Sequence, residues 1–311
     1  MSEYPIHIEV LPKVHLVRGK NGAGFPEANT LLIDDEILTL VDAGTSMENI
    51  TRTLRDLGHE LSDIERIILT HFHIDHKGYA AIIQRAADCE MICHPLAEKG
   101  VRTFQGMVDY YGMEGRRQYD VWRVFINTSF GHVLGDYNVT GTFEDGKPIS
   151  CGQTDLFPIH LPGHTLDHTC FGINGYETIL LVDIDLTSFG PWYGNEVSDI
   201  EDFRRSMERV IEMNPRTGIS SHLIDPVTED LDMRLRAFMR VFGERERRVL
   251  DNIASGVDTI EKMSLKPTIY RRIPMELYRA FEMFMLEKHV ELLKKKGKII
   301  EEDGHLKIER R

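Results

Sequence analysis

The sequence predicts a mixed α/β (α+β) fold followed by a mainly helical C-terminal module. Three features of its 311 residues carry that expectation. Short branched-apolar runs, broken by Gly, Pro and Asp, fill the chain up to residue 45. Strand-like and helix-like periodicities then alternate, as they do where helices cover the faces of a sheet. Beyond Pro226 the apolar spacing becomes helical almost to the end.

The runs at 6–10, 14–17, 29–33 and 36–41 read as strands, the last two joined at Asp34-Asp35 as a hairpin. Asp42-Ala43-Gly44 ends that hairpin. Met47, Ile50, Leu54 and Leu57 share one face of a helix that Gly58 stops. A strand at 64–69 ends at Thr70, a helix follows at 79–85 and another strand at 90–93. The stretch 96–137 holds Tyr110, Tyr111, Tyr119, Trp122, Phe125 and Phe130 and reads as a helical insertion, a candidate lid. Strand-and-turn character returns at 143–158, 178–182 is a buried strand, and 199–213 is an amphipathic helix.

After Pro226, Leu231, Leu235, Phe238, Phe242, Val249 and Ile253 predict one long helix or two. Asp258 is placed to cap a short helix through Ile260 and Met263. Pro274 suits the first position of another, which carries Leu277, Phe281, Phe284 and Leu292. A hairpin about Asp303-Gly304 closes the chain. Three helices and a hairpin are the plan of a winged-helix module. The expected division is therefore a domain at 1–227 and a winged-helix-like module at 228–311.

Hydrophobic residues make up 41% of the chain and charged residues 28%, the balance of a soluble globular protein. No apolar run approaches the roughly 18 residues of a membrane helix. The first ten residues carry neither a basic start nor an apolar block, so a secretory signal is not expected and a cytoplasmic location is. A net charge of -13, from 50 acids against 37 bases, argues against broad binding of nucleic acid or anionic membrane. Cys89, Cys93, Cys151 and Cys170 lack zinc-finger spacing and read as buried reduced thiols.

The chemistry is concentrated in Ile67-Ile68-Leu69-Thr70-His71-Phe72-His73-Ile74-Asp75-His76. His71, His73, Asp75 and His76 are the donors that borderline first-row metals prefer, and they come just past a buried strand. In extended backbone His71 and His73 project the same way. Asp75 and His76, past a turn, can face a second ion. Three further pieces extend the pattern: His164 in Leu161-Pro162-Gly163-His164-Thr165, Asp183 at the end of the 178–182 strand, and His222 after Ile219-Ser220-Ser221. Alone, each would pass for an ordinary loop or core residue.

In this order the pieces resemble the metallo-β-lactamase superfamily, over about residues 5 to 225. The resemblance implies a four-layer αββα sandwich with a two-metal site at one edge of its sheets. It implies that His71, His73 and His164 hold one ion, that Asp75, His76 and His222 hold the other, and that Asp183 bridges them. Asp42 matches an Asp that orients a ligand. The family usually has Gly before the bridging Asp; Val182 stands there instead, and Asp185 is a rival for the bridge. Asp183 is preferred because four apolar residues lead into it without interruption.

The expected activity is metal-dependent hydrolysis. Two dications about 3.5–4 Å apart share and acidify a water that attacks an ester, thioester, lactone or related small organic substrate. Asp75 would orient that hydroxide or take its proton. Two Zn2+ are the expected cofactors, with iron or manganese as alternatives. Trp192 and Tyr193, in the aromatic stretch after the Asp183 strand, are candidates for the substrate pocket. A nuclease or phosphodiesterase, a mononuclear-iron persulfide dioxygenase and a non-catalytic metal-binding module are the alternatives. The C-terminal segment resembles the extension of some hydrolases of this superfamily, one of which acts on RNA. Here its bases are interleaved with acids, as in Glu244-Arg245-Glu246-Arg247-Arg248. That pattern suggests packing, pocket capping or homo-oligomer contacts rather than a phosphate-tracking groove.

Overall fold

The computed structural model describes residues 4–309. Its first sheet has seven strands in chain order: β1 (His7–Leu11), β2 (Val14–Val17), β3 (Thr30–Ile33), β4 (Thr39–Val41), β5 (Arg66–Leu69), β6 (Glu90–Cys93) and β7 (Gly141–Thr142). β1 to β4 form an antiparallel meander, and β4 to β7 run parallel. Parallel neighbours require crossovers, and helices supply them. They are α1 (Met47–Asp56), then α2 (Ile74–Lys77) with α3 (Ala80–Ala87), then α4 (Glu98–Arg102), α5 (Phe104–Tyr111) and α6 (Tyr119–Ser129).

The second sheet is built from β8 (Ile149–Ser150), β9 (Asp155–His160), β10 (Thr169–Ile173), β11 (Thr178–Val182) and β12 (Thr217–Ser220). Only β11 and β12 are parallel, joined through α7 (Ile200–Met213). Period-two alternation sorts the first sheet's side chains between two faces. Leu31, Ile33 and Ile68 meet Leu156, Phe171 and Leu180 of the second sheet. Leu32, Ile67 and Leu69 face Ile50 and Leu54 of α1 and Ile83 of α3. Phe203, Met207 and Val210 pack α7 on the second sheet, completing an αββα sandwich.

The C-terminal segment is α8 (Leu231–Ala254), α9 (Ile260–Met263), α10 (Glu276–Lys295) and the hairpin β13 (Ile299–Glu302) with β14 (His305–Ile308). It shares the sandwich's cores. Leu235 and Phe238 of α8 join the cluster that also holds the second sheet and α7. α10 straddles two clusters: Met285 and Leu286 enter that one, while Leu277 and Phe284 meet Met107 and Trp122 of the insertion. Among the described residues no helix is long and apolar enough to cross a membrane.

Two elements carry no clear signal in the sequence, and two local expectations need correction. β10 was not visible as a strand, because it is buried along its whole length and so lacks alternation, and Gly172 interrupts its apolar run. α2 is a single turn, too short to show a period. Thr259, not Asp258, caps α9 by accepting from Lys262 N, and the Asp258 carboxylate instead pairs with Lys262 and His305. Pro274 lies ahead of α10, which begins at Glu276 after Met275.

Candidate metal centre

The site forms where parallel strands β4 and β5 end side by side. Asp42 follows β4 with φ 61° and turns its carboxylate across to β5. One oxygen accepts from Thr70 N at 2.9 Å; the other accepts from Thr70 Oγ1 and from His76 Nδ1, both at 2.8 Å. The next residues dock on the turn that carries Asp75 and His76. Ala43 N donates to His76 O at 2.8 Å, and Tyr79 N donates to Ala43 O at 2.9 Å. Gly44 lies against that turn so closely that a Cβ there would overlap the Asp75 carbonyl.

On the second sheet, the Pro-Gly turn after β9 presents His164. Gly163 has φ 132°, and a Cβ there would overlap the Phe203 backbone of α7. At the end of β11, the register with β12 shifts and Val182 adopts φ 54°. A β-branched residue in the left-handed region is strained, which explains why Gly is the easier choice before this Asp. The bend turns Asp183 into the histidines.

The imidazoles are held with defined nitrogens free. His71 Nδ1 is 3.0 Å from Thr70 Oγ1, His164 Nδ1 is 2.8 Å from Trp192 O, and His222 Nδ1 is 2.8 Å from Ala23 O. With His76 Nδ1 on Asp42, each bond puts the proton on Nδ1 and leaves Nε2 as a lone pair. His73 is turned the other way: its Nε2 is 3.2 Å from Asn195 Nδ2, and its Nδ1 is 2.9 Å from His164 Nε2.

These lone pairs converge on Asp183. One of its oxygens is 2.9 Å from His164 Nε2 and 3.9 Å from His71 Nε2. The other is 3.0 Å from His76 Nε2 and 3.4 Å from His222 Nε2. The donor atoms fall into two sets, His71, His73, His164 and Asp183 in one, Asp75, His76 and His222 in the other. In each set all donors lie within 4.8 Å of one another. His71 Nε2, His76 Nε2 and Asp183 Oδ1 are buried and make no hydrogen bond. Buried polar atoms are rarely left so, and cations held by the two sets would satisfy all three. The donor set therefore fits metal ions.

Electrostatics differ across the site. Burial opposes the charged form at His76 and His222, but the Asp183 carboxylate outweighs it and raises both, His222 to about 9. Burial, then the neighbouring imidazoles, holds His71 and His73 well below the ordinary histidine value, in the neutral form that metals bind. Burial alone would raise the Asp183 carboxyl, but His76, His164 and His222 outweigh it and hold it well below the usual carboxylate range. Asp185 stands outside both sets. Its carboxylate accepts from Thr187 N at 2.8 Å, and burial pushes it up to about 6.

Two supporting residues have no signal in the sequence pattern. His168 is fully buried, with Nδ1 2.9 Å from Leu161 O, and its Nε2 accepts from Asp183 N at 3.2 Å. Asn195 binds both His73 and His164 O. Single polar residues outside a motif look like any other loop residue until the chain is folded.

A cavity of ≈ 300 Å³ opens onto the centre. Trp192 lines it, as do Tyr111, Trp122 and Phe125 of the 96–137 insertion. Tyr193 does not, which corrects its place among the pocket candidates. Neighbours in extended backbone point opposite ways, so Tyr193 faces the C-terminal helices, its hydroxyl 2.7 Å from His289 Nε2.

Arg245 of α8 fixes this segment. It is 1% exposed and donates to Pro191 O, to Phe189 O at 2.6 Å and to Tyr193 Oη at 3.1 Å. Trp192, between those acceptors, supplies the carbonyl that orients His164. Arg245→Met should keep the volume but strand the carbonyls, lowering stability by about 2–4 kcal/mol. Loosening the His164 partner should also weaken metal retention by roughly 10–100-fold. Thermal melts and chelator competition measure the two effects separately; unchanged retention would show that the 189–193 segment holds without Arg245.

Comparison with known proteins gives one consistent family. The model described as "Metallo-beta-lactamase superfamily" matches residues 23–222. An atrochrysone carboxyl ACP thioesterase of Pseudocercospora fijiensis is 22% identical, over 89% of this chain and 71% of its own length. A probable metallo-hydrolase of Bacillus subtilis is 24% identical, over 71% of this chain and 75% of its own. Among solved structures, a metallo-beta-lactamase family protein from Thermus thermophilus superposes with a TM-score of 0.73 at 19% identity, covering 97% of this chain and 100% of its own.

Proposed function

The chain belongs to the metallo-β-lactamase superfamily, and from that membership we propose that it is a dinuclear metallohydrolase of small organic esters, thioesters or lactones. The observation that carries this reading is the Asp183 carboxylate, with one oxygen facing His71 and His164 and the other facing His76 and His222. His71, His73 and His164 would hold one divalent ion, Asp75, His76 and His222 the other, with Asp183 between them; zinc suits this nitrogen and oxygen donor set. Bound there, such ions would supply the Lewis acidity that lowers the pKa of a water and polarises the scissile carbonyl.

The chain's own residues do the rest. Asp42, Thr70, Trp192 O and Ala23 O lock the imidazole tautomers, so the donors are aimed before any ion arrives. Asp75 lines the cavity beside the centre, where a carboxylate oxygen can orient the attacking water and accept its proton. Water's oxygen bonds the carbonyl carbon, the C–O or C–S bond breaks, and the proton passes to the leaving alcohol or thiol. The aromatic walls keep bulk water away from the reacting carbonyl.

Metal-replete protein should carry two transition-metal ions per chain by elemental analysis and should hydrolyse ester or thioester substrates. Loss of that activity on chelation, with recovery on adding Zn2+, completes the test. One ion per chain or fewer would overturn the dinuclear reading and favour the mononuclear-iron dioxygenase.

A further inference from the structure

We infer that this centre takes uncharged substrates in which an apolar body of several carbons is attached beside the scissile carbonyl. The inference rests on the hydrolase reading above and narrows its substrate class.

Three separate stretches of chain build the wall facing the metal donors. Phe25 comes from the loop before β3, Trp122 and Phe125 from α6, and Leu277 and Phe281 from α10, with Trp192 beside the centre. The rings brace one another: Phe25 stacks on Phe125 at 6.3 Å between centroids, and Trp192 meets Phe281 edge-on at 5.4 Å. Such a surface is preformed and needs little reordering on binding.

Among the described residues lining the cavity there is no Lys or Arg. Its charged side chains, other than histidine, are Asp75, Asp183 and Asp185, all beside the centre. A nucleic acid brings a phosphate on each side of the scissile one. Those anions would be desolvated against aromatic rings and would face the Asp185 carboxylate, with no Lys or Arg to meet them. A neutral acyl or alkyl body gains from the same surface, because each buried methylene leaves water for an apolar wall.

Both tryptophans of the chain, Trp122 and Trp192, line this cavity, so intrinsic tryptophan fluorescence reports on it alone. Two substrate series on metal-loaded full-length protein test the inference. One lengthens the acyl chain of N-acetylcysteamine thioesters from acetyl to octanoyl; the other lengthens the thiol of alkyl thioacetates. In at least one series kcat/KM should rise on the order of tenfold for each two methylenes until the cavity is full. Bis-p-nitrophenyl phosphate should be the poorer substrate. Phe281→Ala and Phe125→Ala, on different helices, should each flatten the chain-length slope. Flat profiles in both series, or a preference for the phosphodiester, would overturn the inference.

Linear methyl ketones, which cannot be hydrolysed, separate it from the reading it rests on. Their Kd, followed by tryptophan fluorescence, should fall by a similar factor per two methylenes even if no substrate turns over. Turnover without that dependence refutes the apolar pocket. The dependence without any turnover refutes the hydrolase.

Discussion

Asp183→Ala should leave a folded chain that retains at most one metal ion and hydrolyses ester or thioester more than a hundredfold more slowly. Losing an outer hydrogen-bond partner of a ligand typically costs 10–100-fold in metal affinity or activity, and Asp183 stands inside that shell. Its two oxygens face different donor sets, so one substitution strips a donor from each pair of neighbouring imidazoles. It also removes the anion between two cations, whose mutual repulsion then acts unopposed. Asp185→Ala should keep both ions, because that carboxylate binds Thr187 N and no member of the cluster. Elemental analysis after gel filtration, with circular dichroism to verify folding, decides the matter. Two ions in Asp183→Ala and none in Asp185→Ala would move the bridge to Asp185.

The His71 to His76 run was legible because its donors are close in sequence and follow a core strand. Recognising Asp42 depended on a family resemblance, since its bonds to Thr70 and His76 span 28 and 34 residues. Nothing marked His168 or Asn195, each a lone polar residue placed only by folding. Val182 is instructive in another way. The sequence shows a departure from the usual Gly, and the φ of 54° shows what the departure costs, on the order of 1–3 kcal/mol of backbone strain. Full burial of its side chain in the hydrophobic core helps offset that cost. The aromatic positions of α10 were legible as a packing stripe. Which of them end at a cavity depends on how α10 crosses α6, and helical periodicity does not encode that crossing.

Gly44→Ala should destabilise the fold by about 4 kcal/mol or more, enough to deplete soluble protein. Gly44 and Gly78 interlock around the metal-binding turn. A Cβ on Gly44 would overlap the Asp75 carbonyl and lie 3.1 Å from His76 N. A Cβ on Gly78, at φ 29°, would overlap Ala43 O. Neither neighbour is a flexible side-chain tip. Each is backbone pinned by the bonds of Ala43 N to His76 O and Tyr79 N to Ala43 O. Relief would require lifting the Asp42 segment off α2, which breaks those bonds and withdraws the carboxylate that orients His76. The loss is a large share of the roughly 5–15 kcal/mol that stabilises an ordinary domain. Gly243→Ala is the matched control. Gly243 is exposed within α8, and a Cβ there meets nothing within 4 Å, so the same substitution should stabilise by roughly 0.5–1 kcal/mol through helix propensity. Denaturant melts of the two variants with and without added Zn2+ provide the comparison. A Gly44→Ala protein as stable as the parent, with its metal retained, would mean that the Asp42 segment and α2 do not pack as described.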